Sequence, residues 1–296
     1  MASTRFKISA FALLAVGALT LSACSSSTTP LGARPAATTT GDQALAKMVP
    51  SDILTKGTIT FGSDGTYAPN EFVGTDGKTM EGMDIDLGTA IAAKLGLKAI
   101  FVNAPFDSII PAIQSGKYDA GISSFTDNKD REKILDFVTY YSAGTSWAAK
   151  TGSTLTPDTV CGKNIAVQKG TVQVDDITAR SKTCTGAGKA AIKINQYQSQ
   201  QDATATVVSG KNDAMLADSP VTGYAVKTSS SQLQIVGTVY GTAPYGIALP
   251  KAKGDLAKAF QGAINAIIAD GSYKTILDKF GAADGGVTES VINGAM

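Results

Sequence analysis

Apolar and polar positions alternate along this chain in blocks of two different periods. Thr58-Ile-Thr-Phe-Gly62 has the two-residue period of a strand, entered from Gly57. Asp84–Leu95 follows the helical period, with Asp84 and Asp86 at its start and Gly96 just past its end. Ala99–Val102 reads as a second strand, Ser108–Gln114 as a helix stopped by Gly116, and Tyr118–Ile122 as a third, buried strand. The order repeats after Thr151 with strand Asn164–Val167, a turn at Gly170-Thr171 and a helix from Val172 to about Arg180. Strand Ala190–Ile194, helix Gln200–Val208 and strand Ala214–Leu216 follow. The two halves share the phrases Gly-Lys-Tyr-Asp-Ala (116–120) and Gly-Lys-Asn-Asp-Ala (210–214), which points to two similar lobes. A last strand, Tyr245–Leu249, precedes a helix striped by Leu256, Phe260, Ile264 and Ile267, and then a helix over Tyr273–Phe280. Strands alternating with helices in this way predict an α/β fold with largely parallel pairing.

Composition narrows the function. A length of 296 residues leaves room for about two domains. Net charge is +1 with no basic stripe, which argues against nucleic acid as a partner. Histidine is absent, so the usual general base and the commonest metal ligand are both missing. We therefore expect no catalytic residue, no metal and no cofactor.

The N-terminus carries the sharpest local signal. Arg5 and Lys7 precede an apolar run, Ile8–Leu21, too short to span a bilayer comfortably. Basic start, apolar middle and small residues at the end are the parts of a secretory signal peptide, assigned here to residues 1–23. Leu21-Ser22-Ala23-Cys24 resembles the lipobox of bacterial lipoproteins, which implies a lipid-modified (palmitate-bearing) Cys24. Residues 25–40 are rich in Ser, Thr, Pro, Ala and Gly, and a flexible tether is expected over 24–50. If Cys24 carries lipid, Cys161 and Cys184 remain as an even pair in an exported chain, either a disulfide or two separate buried thiols.

From about Gly57 to Gly281 the chain resembles the family 3 solute-binding proteins of bacterial ABC transporters, the polar amino acid receptors. The phrases that carry the resemblance run in order through the chain. They are Gly62–Pro69, Gly82–Leu87, Phe106–Pro111, Gly116–Asp119, Thr126–Arg131 with Asp136-Phe137, Gln168–Thr171, Asp213–Asp218 and Tyr245–Ala248. The resemblance implies a type II periplasmic-binding-protein-like fold, two α/β lobes joined by two hinge strands with the ligand cleft between them. Lobe 1 would take residues 57–145 and 242–281, and lobe 2 residues 150–237, with hinges near Gly144–Ala149 and Gly237–Ala243. Trp147 falls near the first hinge without an assigned role.

The resemblance also implies roles for residues. Arg131 would grip an amino acid's α-carboxylate with its planar charged fork, helped by Thr126, and the main chain of Ser124 would meet the carboxylate or the ammonium. Thr171 and Val172, at a helix start where free N–H groups favour an anion, would close over the same carboxylate. Asp218 would hold the α-ammonium. Asp64 would reach the ligand's side chain and favour one bearing N–H donors, while Tyr67 and Phe106 would wall its aliphatic stem. Gln168 and Gln173 are further candidates, and Asn70 stands where many relatives carry an aromatic residue.

The implied function is reversible binding of a polar amino acid, neutral or basic, and delivery to a permease and its ATPase subunit for import. The protein would act as a monomer outside the cytoplasm, lipid-anchored to the outer face of the cell membrane. Two alternatives are a small-carboxylate dehydratase on the same scaffold and a solute-sensing surface lipoprotein.

Overall fold

A computed structural model describes residues 41–295; the expected leader, Cys24 and the tether up to residue 40 lie outside them. The chain begins with two short helices, α1 (Gln43–Ala46) and α2 (Ser51–Lys56), and enters β1 (Thr58–Ser63). A small meander of β2 (Thr66–Tyr67), β3 (Glu71–Val73) and β4 (Met80–Glu81) leads to α3 (Met83–Lys94), β5 (Lys98–Asn103) and α4 (Phe106–Gln114). Next come β6 (Ala120–Gly121), the one-turn helix α5 (Lys129–Glu132) and a long strand, β7 (Asp136–Lys150). Beyond it lie β8 (Asn164–Gln168), α6 (Val172–Gly186), β9 (Lys193–Tyr197), α7 (Gln200–Val208), β10 (Ala214–Asp218) and α8 (Ser219–Thr228). A second long strand, β11 (Leu233–Leu249), returns the chain to α9 (Leu256–Ala269) and α10 (Ser272–Phe280).

Among the described residues, eight strands form one mixed sheet in the order β5-β1-β6-β11-β7-β10-β8-β9. One end, β5-β1-β6, is parallel and belongs to lobe 1; the other, β10-β8-β9, is parallel and belongs to lobe 2. Between them β7 and β11 run antiparallel to each other and pass through both lobes. Their ladder slips register between Val236 and Tyr240 and again between Tyr240 and Ala243. Each lobe has its own core. Phe61, Leu87, Ile91 and the α9 stripe Leu256, Phe260, Ile264 and Ile267 fill the first. Trp147, Ile165, Ile177 and Leu216 fill the second. Trp147 thus has a structural role: its ring is fully buried in lobe 2 and its N–H donates to the Tyr240 hydroxyl at 2.8 Å.

Three sequence expectations change. Residues 42–50, expected within a flexible tether, are folded onto the body: Asp42 caps α1 by accepting from Ala44 N at 2.8 Å, and Val49 and Ile53 enter the lobe 1 core. The strand expected at Ala190–Ile194 lies three residues later, at Lys193–Tyr197, where it forms the sheet's edge beside β8. The helix expected to end near Arg180 continues to Gly186, and Cys184 near its end is bonded to Cys161, resolving the cysteine alternatives in favour of a disulfide. After α10 the chain turns back along lobe 1, where Thr139 N donates to Val291 O and Asn293 N to Phe137 O. Among the described residues no helix is long and apolar enough to cross a membrane.

Candidate functional site

The loops after the lobe 1 strands face the start of α6 and the end of β10 across a cleft, the place where ligands bind in open α/β sheets. Tyr67, Phe106, Ser124, Thr126, Arg131, Thr171, Val172, Gln173 and Asp218 line a cavity between the lobes. Its open space is about 10 Å³, room for roughly one water, so an amino acid enters only if the lobes part. A larger groove of about 460 Å³ opens between α7 and α8, but it has no charged residue in its lining and offers no counter-ion for a zwitterion.

Arg131 sits on α5, a four-residue helix capped by Asn128, whose side chain accepts from Arg131 N at 2.8 Å. The guanidinium lies 5.6 Å from the ring centres of both Phe106 and Phe125, which stack on each other at 4.7 Å. Nη1 donates to Thr126 O at 2.7 Å and Nη2 to Gly170 O, in the other lobe, at 3.1 Å. Burial lowers its pKa to about 10, against the pull of Asp218 and Asp175, so it stays charged at neutral pH. The remaining N–H donors of the fork are free for a carboxylate.

Gly170 and Thr171 bring α6 to this charge. Gly170 has φ +81°, and a Cβ there would lie 2.9 Å from Asp107 Cβ of lobe 1, so its lack of a side chain allows the lobes to approach. Thr171 occupies the cap position but does not cap with its side chain; its hydroxyl donates to Gln168 O at 2.8 Å. The first N–H groups of α6 have no intrahelical partner and add the positive end of its dipole to the site.

Opposite stands Asp218, buried at the end of β10. Its carboxylate accepts from Gln173 Nε2 at 2.7 Å and from the Tyr245 hydroxyl at 2.7 Å, while its N–H donates to the Tyr67 hydroxyl at 3.2 Å. Burial raises its pKa, and the bonds from Tyr245, Gln173 and Tyr67 together with the charge of Arg131 oppose the rise. One half-buried cation and one buried anion thus serve the same small cavity.

Asp64 and Gln168, both expected at the ligand, do not line the cavity. They bind each other across the cleft, Gln168 Nε2 to Asp64 Oδ2 at 2.7 Å, and Asp64 also accepts from Thr66 N and Phe106 N. Other bonds cross the cleft nearby. Asp107 pairs with Lys169 at 2.8 Å and accepts from Gln198 at 2.7 Å, and Thr66 Oγ1 accepts from Gln200 N at 3.1 Å.

Sequence reasoning missed the support beneath Ser124. Asp84, read as a helix-start acid, is fully buried rather than facing solvent, and so is Glu71. Asp84 Oδ2 accepts from Ser124 N at 2.8 Å and from the Tyr140 hydroxyl at 2.7 Å. The Ser124 hydroxyl donates to Glu71 Oε2 at 3.1 Å and accepts from Asn70 Nδ2 at 2.9 Å. This frame holds Ser124 at φ +51°, a conformation that costs a serine about 1–2 kcal/mol. It also accounts for Asn70, which lies under the site and does not shape the cavity wall. Tyr245 was likewise missed, since partners distant in sequence leave no local pattern, whereas Gln173, a candidate in the sequence, lines the cavity.

Burial and the charge of Asp84 raise Glu71 well above the carboxylate range, and burial raises Asp84 from 3.8 to about 6. Between those two pH values the folded chain binds more protons than the unfolded one, so stability falls as pH rises through the window. Moving from pH 7 to pH 5 is expected to stabilise the protein by roughly 1–3 kcal/mol, with Asp127, also raised to about 6, acting in the same direction. Calorimetry of Asp84→Asn at both pH values should show a smaller gain; an unchanged gain would refute this assignment.

Residues 59–283 match the family model described as bacterial extracellular solute-binding proteins, family 3. An arginine-binding protein of Corynebacterium glutamicum is 35% identical over 249 residues, covering 83% of this chain and 81% of the relative. An arginine-binding protein of an ABC transporter from Escherichia coli K12 is 30% identical over 227 residues, covering 75% of this chain and 90% of the relative. Among solved structures, an ancestral arginine-binding protein bound to arginine is similar, with a TM-score of 0.70 and 34% identity, covering 76% of this chain and 98% of that one.

Proposed function

The chain belongs to the family 3 bacterial extracellular solute-binding proteins, and from that premise we propose that it captures a free basic amino acid, arginine first, for import. The observation that carries this is the pair of opposite charges, half-buried Arg131 from lobe 1 and buried Asp218 from lobe 2, at one cavity between the lobes. The α-carboxylate would take the free donors of Arg131 and the first N–H groups of α6, and the α-ammonium would take Asp218. A ligand that touches both lobes favours the closed form by its differential contacts.

Two observations support a basic side chain. Relatives of this chain are named as arginine-binding proteins. In addition, Asp64 Oδ2 already accepts from an N–H donor, Gln168 Nε2, which stands in the role of a ligand's guanidinium or amide N–H. Release of that bond as the lobes part leaves Asp64 with an open acceptor for such a group. Tyr67 and Phe106 would flank the stem.

Delivery would be to the permease of an ABC transporter, with ATP hydrolysis in a separate subunit, since the sequence has no Walker motif. We place the body outside the cytoplasm as a monomer on a lipid at Cys24. The dehydratase reading gains no support, because the acids at the cleft are held in fixed hydrogen bonds. A thermal-shift screen against the common amino acids tests the proposal. With micromolar affinity, 1 mM arginine should stabilise the fold by about 4 kcal/mol and raise its melting temperature by about 10 °C. No shift with any amino acid overturns the reading.

A further inference from the structure

Residues 284–295 lie beyond the span that matches the family, yet they return to the neighbourhood of Arg131. Ser290 is fully buried and its hydroxyl donates to Thr139 O at 2.7 Å, while Val291 N donates to Thr139 Oγ1 at 2.9 Å. Asn293 then exchanges two bonds with Phe137, its N–H donating to Phe137 O and its Oδ1 accepting from Phe137 N at 2.9 Å. Past this anchor, Gly294 N donates to Asp127 Oδ2 at 2.7 Å and Ala295 N to Glu132 Oε1 at 3.0 Å. Asp127 follows Thr126, whose carbonyl accepts from Arg131, and Glu132 follows Arg131 itself.

We propose that Ser290–Ala295 is a strap that positions the Arg131 guanidinium, so that affinity for the ligand's α-carboxylate depends on it. A single turn such as α5 is too short to be stable alone, because helix nucleation is unfavourable. Asp127 precedes this turn and Glu132 ends it; the charge of Glu132 works against that of Asp127, and Lys129 pairs with Glu132 Oε2 at 3.2 Å. The strap aims one backbone N–H at each of the two acids. Asp127 is buried and its N–H donates to Pro244 O, so the strap completes a bracket that starts at β11. Asp127 and Glu132 are positioning residues in this scheme, and the strap supplies a backbone donor to each, beside Lys129 at Glu132.

The inference rests on the proposed amino acid site, and its test separates the two. Affinities for arginine and for argininamide, which lacks the carboxylate, are measured by calorimetry on the full chain and on a chain stopped after Ile292. That variant keeps the Ser290 and Val291 anchors. The strap predicts about tenfold weaker arginine binding and a correspondingly smaller preference over the amide, the loss of about one charged hydrogen bond. Asp127→Ala should give the same loss, the combination no more than either alone, and Asp127→Asn, which keeps an acceptor, close to full affinity. If either loss variant unfolds, the other still reads the contact. Unchanged arginine affinity in both, or equal losses for arginine and the amide, overturns the strap while leaving the site reading intact. If the full chain binds no amino acid, both fall together.

Discussion

Arg131→Ala is expected to weaken amino acid binding by two orders of magnitude or more while the ligand-free protein stays folded. The guanidinium is the charged fork at the cavity, and a desolvated carboxylate would take two of its N–H donors. Charge-assisted bonds of this type contribute about 1.5–3 kcal/mol each, so losing two corresponds to roughly 10²–10⁴ in Kd. The substitution also removes the bonds to Thr126 O and Gly170 O and the stacking on Phe106 and Phe125. Phe106 and Phe125 belong to a buried apolar cluster with Ile109, Ile113 and Phe137 that keeps its own packing without the guanidinium, so melting should fall by only a few degrees. Titration calorimetry and a melting curve on the same sample decide the matter. A Kd within threefold of the parent would remove Arg131 from the site.

Asp218→Asn should separate binding from stability in the opposite sense. The amide keeps the shape of the side chain and one acceptor, but it carries no charge to face an ammonium. Binding is expected to fall by about a hundredfold or more, since a buried ammonium left without its counter-ion costs several kcal/mol. The ligand-free fold should melt at the same temperature or higher at pH 7, because burial raises the Asp218 pKa and the charge is held against that cost. Retained affinity, or a collapse in melting temperature, would contradict the ammonium role.

Periodicity made most of the fold legible. Helix α7 has the bounds expected for it, Gln200–Val208, and the α9 stripe faces the core. Failures came where tertiary partners outweigh local pattern. Strand β9 is an edge with polar residues at Asn195 and Gln196, so its apolar signal peaked too early, at Ala190–Ile194. The end of α6 is rich in Ser, Thr and Lys, and burial of Cys184 with its disulfide carries the helix past Arg180. Around the site the lining residues followed from the resemblance, but their hydrogen-bond partners did not. Asp64 and Gln168 meet across 104 positions of sequence, and Glu71 reaches Ser124 across 53. Nothing in a run of residues marks which polar groups will satisfy one another at that distance.

The register slips in β11 have a mechanical consequence. A paired two-strand ribbon behaves like a leaf spring, compliant to bending out of its plane and stiff to shear along it. Compliance concentrates where rungs of the ladder are missing, between Val236 and Ala243, beside a strand that still pairs with β10 from Thr145 to Ala149. Opening would then swing the lobes about a nearly fixed axis, so that Asp218 returns to Arg131 at the same alignment on every stroke. A capture device built this way needs no search for orientation when it shuts.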